Sequence, residues 1–279
     1  MRIASALILI AVAGCAEDPV PIPAECNGSV ELCARRFDEV AYPTTHNAMS
    51  NAEDGWQMPN QNRNLGHQLE DGVRALMLDV HEYGDDILLC HAFCQIGSLP
   101  LADGLATIRD FLHDHRGEVV TLIFESYTTA GAIADAFAES GLDHYVHAHV
   151  AGTPWPTLRE LIDADERVIV LTDREGGAYD WYMDVWAEAF ETPFAAATVD
   201  DFTCDPGRGD PANPLFIFNH FLTATFAVPD QAPTVNADPF LVDRARTCME
   251  ARGHLANFVT VDFYDQGDLF DAVRMLNGL

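Results

Sequence analysis

The chain has 279 residues, 48% hydrophobic and 21% charged, with a formal net charge of −29. That length and composition suit one large globular core. Such a negative charge excludes nucleic acid as a natural partner, because a polyanion is repelled. After the N-terminus no run is long and apolar enough to cross a bilayer.

The opening MRIASALILIAVAGC reads as a bacterial lipoprotein signal. Arg2 supplies the positive end, Leu7 to Val12 the apolar segment, and Val12-Ala13-Gly14-Cys15 a lipobox-like cleavage site. Residues 1–14 are expected to be removed and Cys15 acylated; a plain secretory signal is the alternative. Residues 15–35, with the acidic, Pro-rich AEDPVPIPAE, are expected as a tether, and residues 36–279 as the folded unit. The expectation is a lipid-anchored, monomeric protein of the bacterial cell envelope, exported to the outer membrane or cell surface.

Six cysteines remain, and an even number in an exported chain reads as disulfides. The spacings suggest Cys26–Cys33, Cys90–Cys94 and Cys204–Cys248, with connectivity left open. A zinc site is disfavoured because no paired C-x-x-C occurs.

Apolar runs alternate with helical patterns along the chain. Strands are expected at Glu39–Thr44, Ala75–Val80, Ile87–Cys90, Val119–Phe124, Val168–Leu171, Leu215–Phe218 and Phe258–Val261. An eighth hides in Glu191–Cys204 or is degenerate. Helices are expected at Leu65–Gly72, Leu105–His113, Ala130–Ser140, Thr157–Ala164 and Pro239–Arg252. This alternation predicts an α/β fold, a single TIM-like (β/α)8 barrel of irregular or incomplete closure. Tyr179–Pro214 lacks a clean period and reads as a long excursion over the barrel mouth.

Chemistry concentrates at strand ends. His46 and Asn47 follow YPTT. Asp79 ends ALML, and His91 follows ILLC. Glu125 follows VVTLIF, and Asp262 follows FVTV. An acid ending an apolar strand is rarely buried unless paired or metal-bound. Two histidines at strand ends can act as base and acid across one substrate bond. Asn47, Asp79 and Glu125 offer the oxygen ligands that Ca²⁺ takes. Arg74 lies on the opposite face from Asp79 and reads as a structural ion pair at the barrel base. DHYVHAHV resembles a metal tract, but solvated loop is the preferred reading. No G-x-S-x-G, P-loop or G-x-G-x-x-G supports acyl-enzyme or nucleotide chemistry.

The segments THNAM, QLEDGVRALMLDVHEYGDDILLCHAFC, IRDFLHDHRGEVVTLIFESY and LANFVTVDFYDQGDLFDAV together resemble the phosphatidylinositol-specific phospholipase C X-domain family. That family belongs to the phospholipase-C-like phosphodiesterase barrels. The chain looks most similar to plant and bacterial X-domain-containing proteins. The resemblance implies cleavage of phosphatidylinositol-type lipids to diacylglycerol and a cyclic inositol phosphate. It makes His46 the base that activates the inositol 2-hydroxyl and His91 the acid for the leaving oxygen. It gives Asp262 the task of orienting His46, and makes Asn47, Asp79 and Glu125 ligands of a Ca²⁺ cofactor. Met77 stands where the calcium-dependent pattern has an acid. The alternatives are a glycerophosphodiesterase-type barrel, which expects paired acids on strand two, and a non-catalytic surface lipoprotein that binds phospholipid head groups. Head-group candidates on strand-end loops are Asp173, Arg174, Asn219 and His220. Trp181 and Tyr182 are candidates for lipid contact or packing.

Overall fold

The computed structural model describes residues 21–223 and 227–279. The expected signal peptide and Cys15 therefore lie outside the described residues. In chain order the elements are β1 (Tyr42–Thr45), α1 (Leu65–Asp71), β2 (Ala75–Tyr83), β3 (Asp86–Leu89), β4 (Leu99–Pro100) and α2 (Leu101–Asp114). Then come β5 (Val120–Tyr127), α3 (Ala130–Ser140), α4 (Leu158–Ala164), β6 (Val168–Thr172), β7 (Tyr182–Asp184) and α5 (Val185–Glu188). The chain finishes with β8 (Ala189–Glu191), β9 (Leu215–Asn219), α6 (Ala232–Val235), α7 (Phe240–Arg252), β10 (Phe258–Val261) and α8 (Leu269–Leu276).

Parallel strands run in the order β7-β6-β5-β2-β1-β10-β9-β8, with β3 and β4 attached to β2 as an antiparallel flap. The sheet curls into an irregular barrel whose ends, β7 and β8, form a seam. The expected α/β barrel is the observed architecture. The expected excursion at Tyr179–Pro214 is corrected in part: it contains β7, α5 and β8, which belong to the wall.

Alternation within each strand makes two cores, because successive side chains point to opposite faces. Ala75, Ile123, Ile169, Leu171, Leu215, Ile217 and Phe258 fill the barrel interior. Leu76, Leu78, Leu122, Phe124, Phe216, Val259 and Val261 point outward. Outside they meet Leu105, Ile108 and Leu112 of α2, Ile133 and Phe137 of α3, Leu241 and Ala245 of α7, and Leu269 and Val273 of α8. Helix ends are capped locally. Asn64 and Thr129 accept from His67 and Ala132, while Gly72 and Gly141 take left-handed conformations past α1 and α3.

The barrel base is closed by residues expected to lie in the tether. Cys26 and Leu32 are buried, and Asn27 bonds to the backbone of Val119 in both directions, at 3.2 and 2.7 Å. The packed unit therefore starts before residue 36. The reason is the Cys26–Cys33 bridge, which folds this short segment onto the barrel, where Phe37 stacks on Tyr42. Cys90–Cys94 and Cys204–Cys248 are also bonded, so the three expected pairs are those present. Arg74 pairs with Glu118 at 2.7 Å, as strand parity predicts.

Candidate active site

The C-terminal strand ends open into a pocket of about 560 Å³. His46, Asn47, Met77, Asp79, Glu125 and Asp173 line it, together with Trp186, Glu191, Phe194, Arg208 and Phe221. The strands deliver them in register: Thr45 lies beside Leu76 and Val261, and Asp79 beside Glu125.

His46 is held on three sides. Its Nδ1 lies 2.9 Å from Asp262 Oδ1. A carboxylate can only accept, so Nδ1 carries the proton and Nε2 keeps its lone pair. The ring stacks on Phe221 at 3.8 Å. Asn60, a loop residue with no sequence signal, donates to the same Asp262 oxygen at 3.1 Å. Gln61 donates to the His46 and Val261 carbonyls at 2.8 and 3.1 Å, fixing the turn between them. Asp262 is buried.

His91 sits half-buried on the loop closed by Cys90–Cys94 and is not among the pocket-lining residues. The loop is tied to β2 where Cys90 N–H donates to the Asp79 carbonyl at 3.2 Å. Burial pushes the His91 imidazole below its ordinary value. The nearby His46 adds to this, against the pull of Asp262 and Glu125. His46, His91 and Asp262 are each followed by a residue of positive φ: Asn47 at 45°, Ala92 at 58° and Phe263 at 50°. Such backbone is costly for residues other than Gly or Asn, and strain of this kind gathers at functional sites.

The expected strand-end carboxylates divide into two groups. Asp262 serves His46. Asp79 and Glu125 face each other across β2 and β5, and Asp173 joins them from the end of β6. Burial first, then the Glu125 and Asp173 charges, push the Asp79 carboxyl well above its ordinary value. Asp173 is also raised, chiefly by burial, although Ser126 N–H donates to it at 2.9 Å. Glu125 accepts from the Tyr127 hydroxyl, and Tyr127 stacks on His81. With the Asn47 amide these groups form a donor set of hard-cation chemistry. Among the described residues, no three His, Cys, Asp or Glu side chains are already gathered into a metal cluster. The set thus fits calcium in chemistry and is open in arrangement. Met77 lines the pocket as an apolar side chain, and Asp173, two strands away, lines it as an acid.

Across the pocket, Arg208 forks onto Glu191 at 2.5 and 3.2 Å, between the rings of Trp186 and Phe194. Asn219 lines the pocket and donates to Glu191 at 3.0 Å. Arg174 lies over the Tyr127 ring at the rim. His220 is not a site residue: it is buried between the Val235 carbonyl and Arg244, and its imidazole is pushed down to about 3, chiefly by burial. Trp181 packs on Phe137, and Tyr182 is buried against Thr172, so both are packing residues.

The family model described as PI-PLC X matches residues 32–277. The chain belongs to the PI-PLC X family. A PI-PLC X domain-containing protein of Arabidopsis thaliana is 29% identical over 269 residues, covering 87% of this chain and 62% of that protein. PI-PLC X domain-containing protein 1 of Arthroderma benhamiae is 30% identical over 275 residues, covering 91% and 90%. The chain therefore spans less than two thirds of the plant relative and nearly all of this fungal one. A phosphatidylinositol-specific phospholipase C from Staphylococcus aureus superposes with a TM-score of 0.61 at 14% identity, over 88% of this chain and 94% of that one. At that identity the likeness speaks for the fold alone, a phospholipase-C-like phosphodiesterase barrel. The relatives also correct the expected location. They come from a plant and a fungus, and a further Arthroderma relative is named an uncharacterized secreted protein. A bacterial envelope lipoprotein is not what this kinship supports.

Proposed function

We propose that this chain is a phosphodiesterase that cleaves phosphatidylinositol-type lipids by attack of the inositol 2-hydroxyl on the neighbouring phosphorus. The observation that carries this reading is the His46–Asp262 pair. Asp262 fixes the tautomer and stabilises the imidazolium, while the free Nε2 takes the 2-hydroxyl proton. The oxygen–phosphorus bond that forms closes a five-membered cyclic phosphate. The bond that breaks releases diacylglycerol, whose oxygen takes a proton from His91. The lowered His91 value makes its imidazolium a stronger acid but a scarcer one near neutral pH.

Asn47, Asp79 and Glu125 would hold a Ca²⁺ ion, with Asp173 filling the role that Met77 cannot. When bound, the cation would offset the charge that gathers on the phosphoryl oxygens. Arg208, preset by Glu191 and two aromatic rings, faces the same pocket as a donor for head-group oxygens. Met77 removes the paired acids of strand two and so disfavours a glycerophosphodiesterase reading.

Phosphorus NMR of the products from phosphatidylinositol vesicles, with Ca²⁺ or excess chelator, tests the reading. A cyclic phosphate that becomes acyclic only on further incubation is expected. A first product that is already acyclic would refute the 2-hydroxyl attack. Undiminished turnover in chelator would remove the calcium. Binding of vesicles without any product would leave a head-group-binding protein.

A further inference from the structure

At the opposite end of the barrel, four buried polar atoms on three segments have no hydrogen-bond partner: His147 Nε2, His149 Nε2, Trp155 Nε1 and Glu188 Oε2. The histidines precede β6, where His147 N–H donates to the carbonyl of its first residue, Val168, at 2.9 Å. Glu188 ends α5, next to the first residue of β8. The cluster therefore sits at the barrel base, beside the β7–β8 seam and away from the His46 pocket.

The side chains of His149 and Glu188 are 4% and 2% exposed, and their Nε2 and Oε2 atoms face each other at 3.9 Å. That is too long for a hydrogen bond. An ion about 2.1 Å from each donor spans up to about 4.2 Å, so one metal can bridge them where they stand. Two residues apart in extended chain, His147 shares a face with His149, at 6.1 Å between ring centroids. Its Nδ1 is held by Glu166 at 2.7 Å, which leaves Nε2 as the lone-pair nitrogen. A carboxylate on the far ring nitrogen is the usual support of a metal-bound histidine. Trp155 stacks on His149 at 3.7 Å and walls the cluster from water.

We propose that His149 Nε2, Glu188 Oε2 and His147 Nε2 bind one late transition-metal ion of the zinc class at the base of the barrel. No three such side chains are yet drawn together among the described residues, so the His147 ring swings in as the ion enters. Mixed nitrogen and oxygen donors favour zinc over calcium. The ion would tie the segment before β6 to the α5–β8 junction, across the part of the wall that strand pairing leaves unjoined. This sets the stretch DHYVHAHV apart from the solvated loop expected of it.

Titration of the chelator-stripped full chain with Zn²⁺, in excess Ca²⁺ to occupy the carboxylates near Asp79, tests the site. One ion per chain is expected, with a higher Tm. His149→Gln and Glu188→Gln should each weaken binding at least tenfold, and His46→Ala should leave it unchanged. X-ray absorption of the zinc-loaded wild type, which needs no variant to fold, should show two imidazole ligands. No stoichiometric binding, affinity unchanged in both Gln variants, or loss in His46→Ala would overturn the proposal.

Discussion

Asn60 and His46 meet on one atom: both nitrogens reach Asp262 Oδ1, at 3.1 and 2.9 Å. The carboxylate is aimed by a loop residue about two hundred positions away in sequence. Asp262→Asn keeps the shape and loses the acceptor that selects the Nδ1–H tautomer. Turnover on phosphatidylinositol vesicles should fall by about 10²- to 10⁴-fold with KM little changed. Asn60→Ala should cost less, on the order of tenfold, because Asp262 stays in place. Wild-type rates in Asp262→Asn would remove Asp262 from this role.

His91 must be protonated to act as acid, and burial holds its imidazole below its ordinary value of about 6.5. Activity should therefore decline as pH rises, with the alkaline limb of kcat/KM on the acid side of about 6.5. His91→Ala should abolish that limb. A limb unmoved in this variant would assign it to another group.

How much of this was legible depended on what each residue owes to its neighbours in sequence. β5 and β10 lie in continuous apolar runs because both their faces are buried. β7 and β8 are three residues each, too short to show a period, so the wall between residues 182 and 191 read as an excursion. Asp79, Glu125 and Asp262 were visible as acids ending apolar strands. Their division into a histidine partner and a separate carboxylate group was not, since it depends on which strands become neighbours. Asn60 and Phe221 lie on loops without pattern, and only the fold brings them to His46.

Stability should change with pH around Asp79. Its folded carboxyl is raised above the unfolded value, so the native state binds the extra proton. Stability then falls as pH rises from the unfolded value through the folded one. Asp79→Asn removes this penalty. In chelator at pH 7 the variant should melt a few degrees above wild type, and the gap should close below about pH 4. Thermal denaturation across that range checks it; a gap independent of pH would point to packing instead.

The Cys204–Cys248 bridge spans 44 residues. Loop-closure entropy assigns about 4 kcal/mol to a loop of that length. The double variant Cys204→Ala/Cys248→Ala should lose stability of that order in denaturant titrations. The Cys26–Cys33 loop of seven residues should contribute less. Equal losses for the two pairs would show that chain entropy is not the main source.

His46 is anchored by hydrogen bonds and a stacked ring, whereas His91 rides on a loop whose ends are stapled by Cys90 and Cys94. The two histidines of the proposed mechanism thus answer to different surroundings. Under the proposed mechanism a thiol-rich medium would slacken the donor while the acceptor stayed poised, so the proposed activity would carry its own requirement for an oxidising milieu.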